Sequence, residues 1–253
     1  MLFDIVIPLG PNERKNIFRQ IEFTKKNVIG YRNIYIITNN YYNLQIEGCK
    51  IVDESIFPFK IHDIARHFVK HNGKNNRNGW YLQQLLKLYA GFVIEELLDD
   101  YLIIDADIFF LKPFTFINNN SKYIFTSSDE NHVPYFNHMS KLHPSFTKQI
   151  NKSGISHHMI FNKNIIREIF DLVEKFHNKP FWFVFIEMVD EHKKYDIDSH
   201  ESGASEYELY FNYMMKNHSE KIYIRQLNWS NKNYNYNINS NSDYDYVSIC
   251  HYM

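Results

Sequence analysis

Apolar residues along this chain fall into short unbroken runs separated by longer amphipathic stretches. Phe3 to Pro8 is apolar except at Asp4 and reads as a first strand buried on both faces. Gly10-Pro11-Asn12 is a turn, and Glu13 to Val28 sets Ile17, Phe18 and Ile21 at a helical period. Asn33 to Thr38 reads as a second strand, Lys50 to Val52 as a short third, and Ile61 to Lys70 as a helix. His71 to Gly79 is a Gly/Asn/Lys/Arg-rich loop. Trp80 to Leu98 predicts the longest helix, with Leu85, Leu88, Phe92 and Leu97 on its buried side, and a strand through Leu102 to Ile104 follows. Tyr123 to Ser127 and His158 to Asn162 predict later strands, Asn164 to His177 a helix, and Pro180 the start of a short one. Ser205 to Asn217 predicts a helix in which Ser205 and Glu208 have capping-box spacing. The Asn/Tyr/Ser/Asp-rich segment Asn228 to Asp245 reads as a loop, and Tyr246 to Cys250 as a final strand. The order β-α-β-(β)-α-α-β over the first part argues for an α/β fold: a Rossmann-like, three-layer α/β/α arrangement around a mostly parallel central sheet. No repeat or boundary divides residues 1–253, so a single domain is expected, with 1–112 and 113–253 as its two halves.

Composition narrows the function classes. The 253 residues suffice for one large α/β domain or two small ones. A formal net charge of -1 leaves no global basic field to attract nucleic acid. Cys49 and Cys250 form neither a metal-binding spacing nor a disulfide framework, which fits a reducing, cytoplasmic setting. Leu2 to Pro8 is already strand-like, so no signal peptide is expected, and the apolar stretch Phe181 to Val189 is too short to span a bilayer. Abundant Asn, Ile, Lys and Tyr resemble translation of an AT-rich genome, as in giant DNA viruses and low-GC bacteria. In the viral case the location would be the host cytoplasm.

The chemistry concentrates at Tyr101-Leu102-Ile103-Ile104-Asp105-Ala106-Asp107-Ile108-Phe109-Phe110. A buried strand ending in Asp-x-Asp puts two carboxylates at the carboxyl edge of a sheet, where open α/β sheets bind ligands. Two nearby carboxylates repel unless a cation lies between them, and hard oxygen ligands suit Mg²⁺ or Mn²⁺ bridging to phosphates. The same pattern in a solvated surface turn would carry no function. A haloacid-dehalogenase-type phosphatase is a poor match: the motif follows two or three strands, and no Gly-Asp-x-x-x-Asp pair comes after it. A metal-dependent nucleotidyltransferase needs a Gly-rich phosphate loop, and Pro11 removes a backbone donor from Gly10-Pro11-Asn12-Glu13-Arg14-Lys15. Trp80, Gln84 and Lys87 share a helix face. Gln84 could hydrogen-bond polar groups of a ligand there, and Lys87 could balance an anionic one. Glu208 has the capping role available, which leaves Glu206 as the better candidate for a catalytic carboxylate, one that could take a proton. His157 and His158 would point to opposite faces of a strand.

The run from Tyr101 through Lys112-Pro113-Phe114 resembles the metal motif of GT-A fold glycosyltransferases. Gly79-Trp-Tyr-Leu-Gln-Gln-Leu-Leu-Lys-Leu resembles the helix before that motif in glycogenin-like and capsule-type enzymes. Ser153-Gly-Ile-Ser-His-His-Met-Ile-Phe-Asn and Ser205-Glu-Tyr-Glu-Leu-Tyr-Phe-Asn-Tyr resemble their acceptor-side segments. The resemblance implies a UDP-sugar donor of the hexose type, Mn²⁺ or Mg²⁺, and a glycan or other hydroxyl acceptor. It implies that Asp4 to Gly10, with Pro8 and Gly10 at its end, leads into the nucleotide pocket, that Thr38 and Asn39 lie near the uridine, and that Asp105, Ala106 and Asp107 meet the ribose and the metal. It also implies His251 as a third metal ligand, which requires the last strand to return to Asp107. A sugar-nucleotide-binding protein that has lost turnover is the non-enzyme alternative.

Overall fold

Unbroken runs of Ile, Val, Leu and aromatic residues can only be satisfied at the centre of a sheet covered on both faces. The computed structural model describes residues 2–39, 41–70, 77–189, 202–238 and 243–250. The amino-terminal part contains β1 (Phe3–Pro8), α1 (Ile17–Asn27), β2 (Val28–Ile29), β3 (Tyr31–Thr38), β4 (Cys49–Asp53), α2 (Ile61–Lys70) and α3 (Asn78–Val93). The middle contains β5 (Asp100–Ile104), β6 (Ile108–Phe110), β7 (Phe114–Thr115), β8 (Tyr123–Thr126), α4 (Val133–Leu142), β9 (His158–Asn162), α5 (Lys163–His177) and α6 (Phe181–Glu187). The rest is α7 (Glu206–Asn217), β10 (Ile222–Arg225), β11 (Trp229–Asn233) and β12 (Tyr246–Cys250).

The central sheet has the order β4-β3-β1-β5-β9. Its first four strands are parallel, and β9 runs antiparallel to β5. This is the mixed α/β fold with a mostly parallel central sheet that the element order implies. Helix α3 packs on β1 and against α2, α5 and α7. Smaller sheets flank the core: β8 with β10, β2 with β7, and β11-β12-β6. No helix among the described residues is long and apolar enough to cross a membrane.

All six residues of β1 are buried, including Asp4. A buried carboxylate must be fully hydrogen-bonded. Asp4 accepts from Arg32 Nε (3.0 Å) and Nη2 (2.6 Å), from the Asn33 amide (3.1 Å) and from the Leu98 amide (2.9 Å). It thereby ties the starts of β1 and β3 to the approach to β5, at the edge of the sheet where those strands begin. Asp4→Ala is expected to cost about 2 kcal/mol of stability, because it leaves the Asn33 and Leu98 amides without their acceptor, while the Arg32 guanidinium keeps the Glu96 carbonyl and solvent. Urea unfolding measures this, and a loss below about 1 kcal/mol would refute the role.

Several elements depart from the sequence reading. The expected helix from Glu13 to Val28 divides into a 3-10 turn (Glu13–Lys15) and α1, and Val28 pairs with Phe114 instead. The expected helix from Trp80 to Leu98 stops at Val93, where Ile94 turns extended. The segment Asn228 to Asp245, expected as a loop, contributes β11, which pairs in parallel with β12. Trp229 supplies the packing that its polar neighbours lack, stacking on the buried Tyr246 with ring centroids 5.4 Å apart and an interplanar angle of 8°.

Candidate metal centre

From β1 the chain goes out to β3 and β4 on one side, then crosses to β5 on the other. The strand order therefore reverses between β1 and β5, and the crevice outside their carboxyl ends is the expected ligand site of an open α/β sheet. Asp105 follows directly on β5. The Ile108 amide donates to the Asp105 carbonyl (3.1 Å), a tight turn that reverses the chain into β6 and leaves Asp105, Ala106 and Asp107 at its tip.

Two later strands complete the site. In β9, His158 pairs with Ile104, and the Asp105 amide donates to the His157 carbonyl (3.0 Å), extending the ladder by one residue. His157 has φ +62°, a left-handed conformation uncommon for a side-chain-bearing residue. Its ring joins the carboxylates, while His158 is buried among Phe110, Phe116 and Tyr246. Strand β12 pairs antiparallel with β6, so the last strand does return to this edge. The Ile249 amide donates to the Asp107 carbonyl (2.9 Å), and Ser248 Oγ donates to Asp107 Oδ2 (2.9 Å).

Asp105, Asp107 and His157 each offer a ligand atom within 4.8 Å of the others. Asp107 Oδ1 is buried and has no hydrogen-bond partner among the described residues. An orphaned carboxylate oxygen is costly unless a cation or donor completes it. Two carboxylate oxygens and an imidazole form a donor set that suits Mn²⁺ and admits Mg²⁺. The residues therefore fit the divalent ion that the Asp-x-Asp motif implies.

A permanent cation lies behind them. Lys87, 2 % exposed, sits 2.5 Å from Asp105 Oδ1 and 2.5 Å from Glu206 Oε1. Its ammonium also faces the Tyr207 ring at 4.4 Å, and the Tyr207 hydroxyl donates to Asp105 Oδ1 (3.1 Å). Asp105 Oδ1 is thus fully engaged, and Oδ2 lies 3.4 Å from His157 Nδ1. Burial alone would raise the Asp105 pKa, but the Lys87 charge and His157 outweigh it and hold the group at about 2. Burial pushes Asp107 up to about 6; His157 pulls it back, and the Asp105 charge adds a smaller push upward. Burial would lower the Lys87 pKa, but its two carboxylates together raise it. Glu206 is raised, because its burial outweighs its pairing with Lys87. Of the two carboxylates on Lys87, Asp105 is the one firmly held as an anion.

The remaining expected site residues divide between cleft and support. Glu206 is 2 % exposed at the first turn of α7. Gln84 is 1 % exposed; its Nε2 donates to the Ala204 carbonyl (3.1 Å), and its Oε1 accepts from the Glu206 amide (3.1 Å). Its amide therefore fixes the entry to α7. Ser205 Oγ caps α7 by accepting from the Glu208 amide (3.2 Å), but the Glu208 carboxylate turns to Ser153 and Asn212 instead of closing a capping box. Pro8 is buried at the end of β1, and Gly10 follows it with Glu13 folded close over its Cα. Thr38 ends β3 with its Oγ1 buried and without a partner among the described residues, and Asn39 accepts from Arg14 Nη2 (2.8 Å) across the mouth between β1 and β3. Ala106 is buried within the turn. His251 lies outside the described residues. His157 is absent from the expected ligand set. Its signal was the His157-His158 pair at a strand start, but only the β5–β9 register decides which ring meets the aspartates.

Comparison with known proteins gives three findings. A search of curated proteins finds no match. Among solved structures, the apo form of mouse xyloside xylosyltransferase 1 aligns over 92% of this chain and 88% of its own, with 10% identity and a TM-score of 0.43. A family model described as a family of unknown function, DUF6492, matches residues 22–243. By that match over most of its length, the chain belongs to the DUF6492 family.

Proposed function

We propose that this protein is a metal-dependent glycosyltransferase of GT-A type that moves a sugar from a nucleoside diphosphate donor, a UDP-sugar, to an acceptor hydroxyl. One observation carries the reading. A half-buried Asp-Asp-His cluster, in which Asp107 Oδ1 has no hydrogen-bond partner among the described residues, stands at the carboxyl edge of the sheet, beside the β1/β5 reversal. With His157 neutral, as a metal ligand must be, Lys87 offsets one of the three carboxylates Asp105, Asp107 and Glu206, and the ionised cluster is short of one divalent cation's charge. Asp105, Asp107 and His157 would hold that ion, which when bound offsets negative charge on the departing diphosphate.

The protein's own groups supply the rest. Lys87 and Tyr207 fix Asp105 from behind, so its free oxygen keeps one direction. Ser248 does the same for Asp107. The buried Thr38 hydroxyl and the Pro8–Gly10 exit from β1 offer a polar floor for a nucleoside. The Trp229 ring, edge-on to His157 at 5.2 Å, adds an aromatic wall to the cleft.

The test is hydrolysis of UDP-sugars without acceptor. UDP-glucose, UDP-galactose, UDP-N-acetylglucosamine and UDP-glucuronic acid are each incubated with protein and Mn²⁺, and released UDP is measured. UDP release from at least one donor, abolished by EDTA, is expected, together with a rise in Tm when Mn²⁺ and that donor are added. Neither signal from any donor would sink the reading. Pyrophosphate release from nucleoside triphosphates would replace it with nucleotidyl transfer.

A further inference from the structure

We propose that Glu130 is the catalytic base of this site, the carboxylate that takes the proton from the attacking hydroxyl, and that Glu206 is a positioning residue acting through Lys87. The inference rests on the glycosyltransferase reading above. Glu206 is sequestered: it is 2 % exposed, its carboxylate is bonded to Lys87 at 2.5 Å, and its amide is bonded to Gln84. Glu208 is 1 % exposed and occupied by Ser153 and Asn212. Asp105 and Asp107 belong to the ion.

Glu130 differs on each count. It is exposed, and its carboxylate makes no hydrogen bond or ion pair among the described residues. The loop that carries it, between β8 and α4, is pinned to the site at three points. Ser128 and Ser153 exchange both backbone hydrogen bonds at 3.0 Å, so the loop runs beside the segment leading to His157. Asp129 pairs with Lys152 on that same segment. His132 Nε2 contacts the Ser202 carbonyl at 2.9 Å, and Tyr135 Oη contacts Ser202 Oγ at 2.6 Å, just before α7. Glu130 is therefore carried on a strap tied both to the segment leading to His157 and to the segment leading into α7. Although its surface reaches solvent, partial desolvation by the surrounding loop raises its pKa, and the charges of His157 and His132 oppose that rise. Glu208 and Tyr135 also feel its charge.

The step balances as a single displacement. The hydroxyl O–H bond breaks and its proton moves to a Glu130 carboxylate oxygen. The hydroxyl oxygen forms a bond to the anomeric carbon of the sugar. The bond from that carbon to the diphosphate oxygen breaks, and its electron pair leaves with the diphosphate. In hydrolysis, water is the attacking hydroxyl. Such a step inverts the anomeric centre.

Hydrolysis of the best donor from the UDP-sugar panel tests this with the full chain and Mn²⁺. Glu130→Gln should lower kcat about 100-fold, the usual scale for a general base. KM for the donor and the Mn²⁺-induced rise in Tm should not change. In Glu130→Ala, added formate should restore part of the rate, which a structural role would not allow. Glu206→Gln should instead weaken Mn²⁺ binding, and formate should not rescue it. A Glu130→Gln kcat within threefold of wild type overturns the assignment, and so does a loss expressed wholly in KM. Wild-type protein that hydrolyses no donor would bring down the glycosyltransferase reading itself, and this assignment with it.

Discussion

Asp107→Asn is expected to abolish Mn²⁺-dependent release of UDP, with a fall of at least about 1,000-fold, and to make the metal-free protein more stable. The two effects have one cause. Asp107 is buried beside Asp105, and burial pushes its pKa up to about 6. Its ionised form is therefore disfavoured in the folded chain without a cation. An amide of the same shape keeps the Ser248 hydrogen bond and removes the charge, so the fold relaxes. It also removes the anionic oxygen that now has no partner, Oδ1, and with it a ligand for the ion. Ground held against stability is typical of functional sites. Differential scanning calorimetry should show Tm a few degrees above wild type without metal, and no further rise with Mn²⁺. A variant that still gains stability from Mn²⁺ would remove Asp107 from the metal centre. A variant with unchanged UDP release would sink the mechanism.

Lys87→Met is expected to be the most damaging single change to stability within the site. Methionine matches the length of the lysine stem but leaves Asp105 and Glu206 buried and mutually repulsive. Breaking a buried ion pair from one side costs about 3–5 kcal/mol. Both contacts are 2.5 Å, and the Lys87 side chain is 3 % exposed. The second variant, Lys87→Met with Glu206→Gln, removes one of the two stranded charges and should recover a sizeable part of the loss. Denaturant unfolding of the wild type, both single variants and the double closes a thermodynamic cycle. Coupling of about 2 kcal/mol or more is expected. Additive losses would show that Lys87 and Glu206 do not act as a pair.

Much of the scaffold is legible in the chain because burial on both faces leaves an apolar record. Phe3 to Pro8, Asn33 to Thr38 and Leu102 to Ile104 mark β1, β3 and β5, and the element order implies their parallel arrangement. The two aspartates are legible for the same reason, since they interrupt such a run at its end. What the chain hides is pairing over long separations. Lys87 and Glu206 each stand out, one on a helix face and one at a helix start, but nothing local says that they meet across 119 positions. His157 is hidden by its neighbour, since two adjacent histidines differ only in the face that register assigns them. Strand β11 is hidden by composition: Ser230, Asn231, Lys232 and Asn233 look like loop, and only pairing with β12 makes them a strand. Glu130 leaves no mark at all, because an exposed acid in a loop has the same appearance whether or not a cleft lies beside it.

The return of β12 to β6 has a consequence for how the protein is made. Ser248 and Asp107 are 141 positions apart, yet the hydroxyl of one steadies the carboxylate of the other. During synthesis, β1, β3 and β5 emerge early and have partners at once, while the turn holding Asp105 and Asp107 waits for β9 and then for β12. Contacts of such long range are formed late and slowly. A ribosome-bound chain that lacks residues 246–250 would therefore carry both aspartates in a half-framed turn. Chelating strength should rise only as β12 pairs with β6 and brings Ser248 to Asp107.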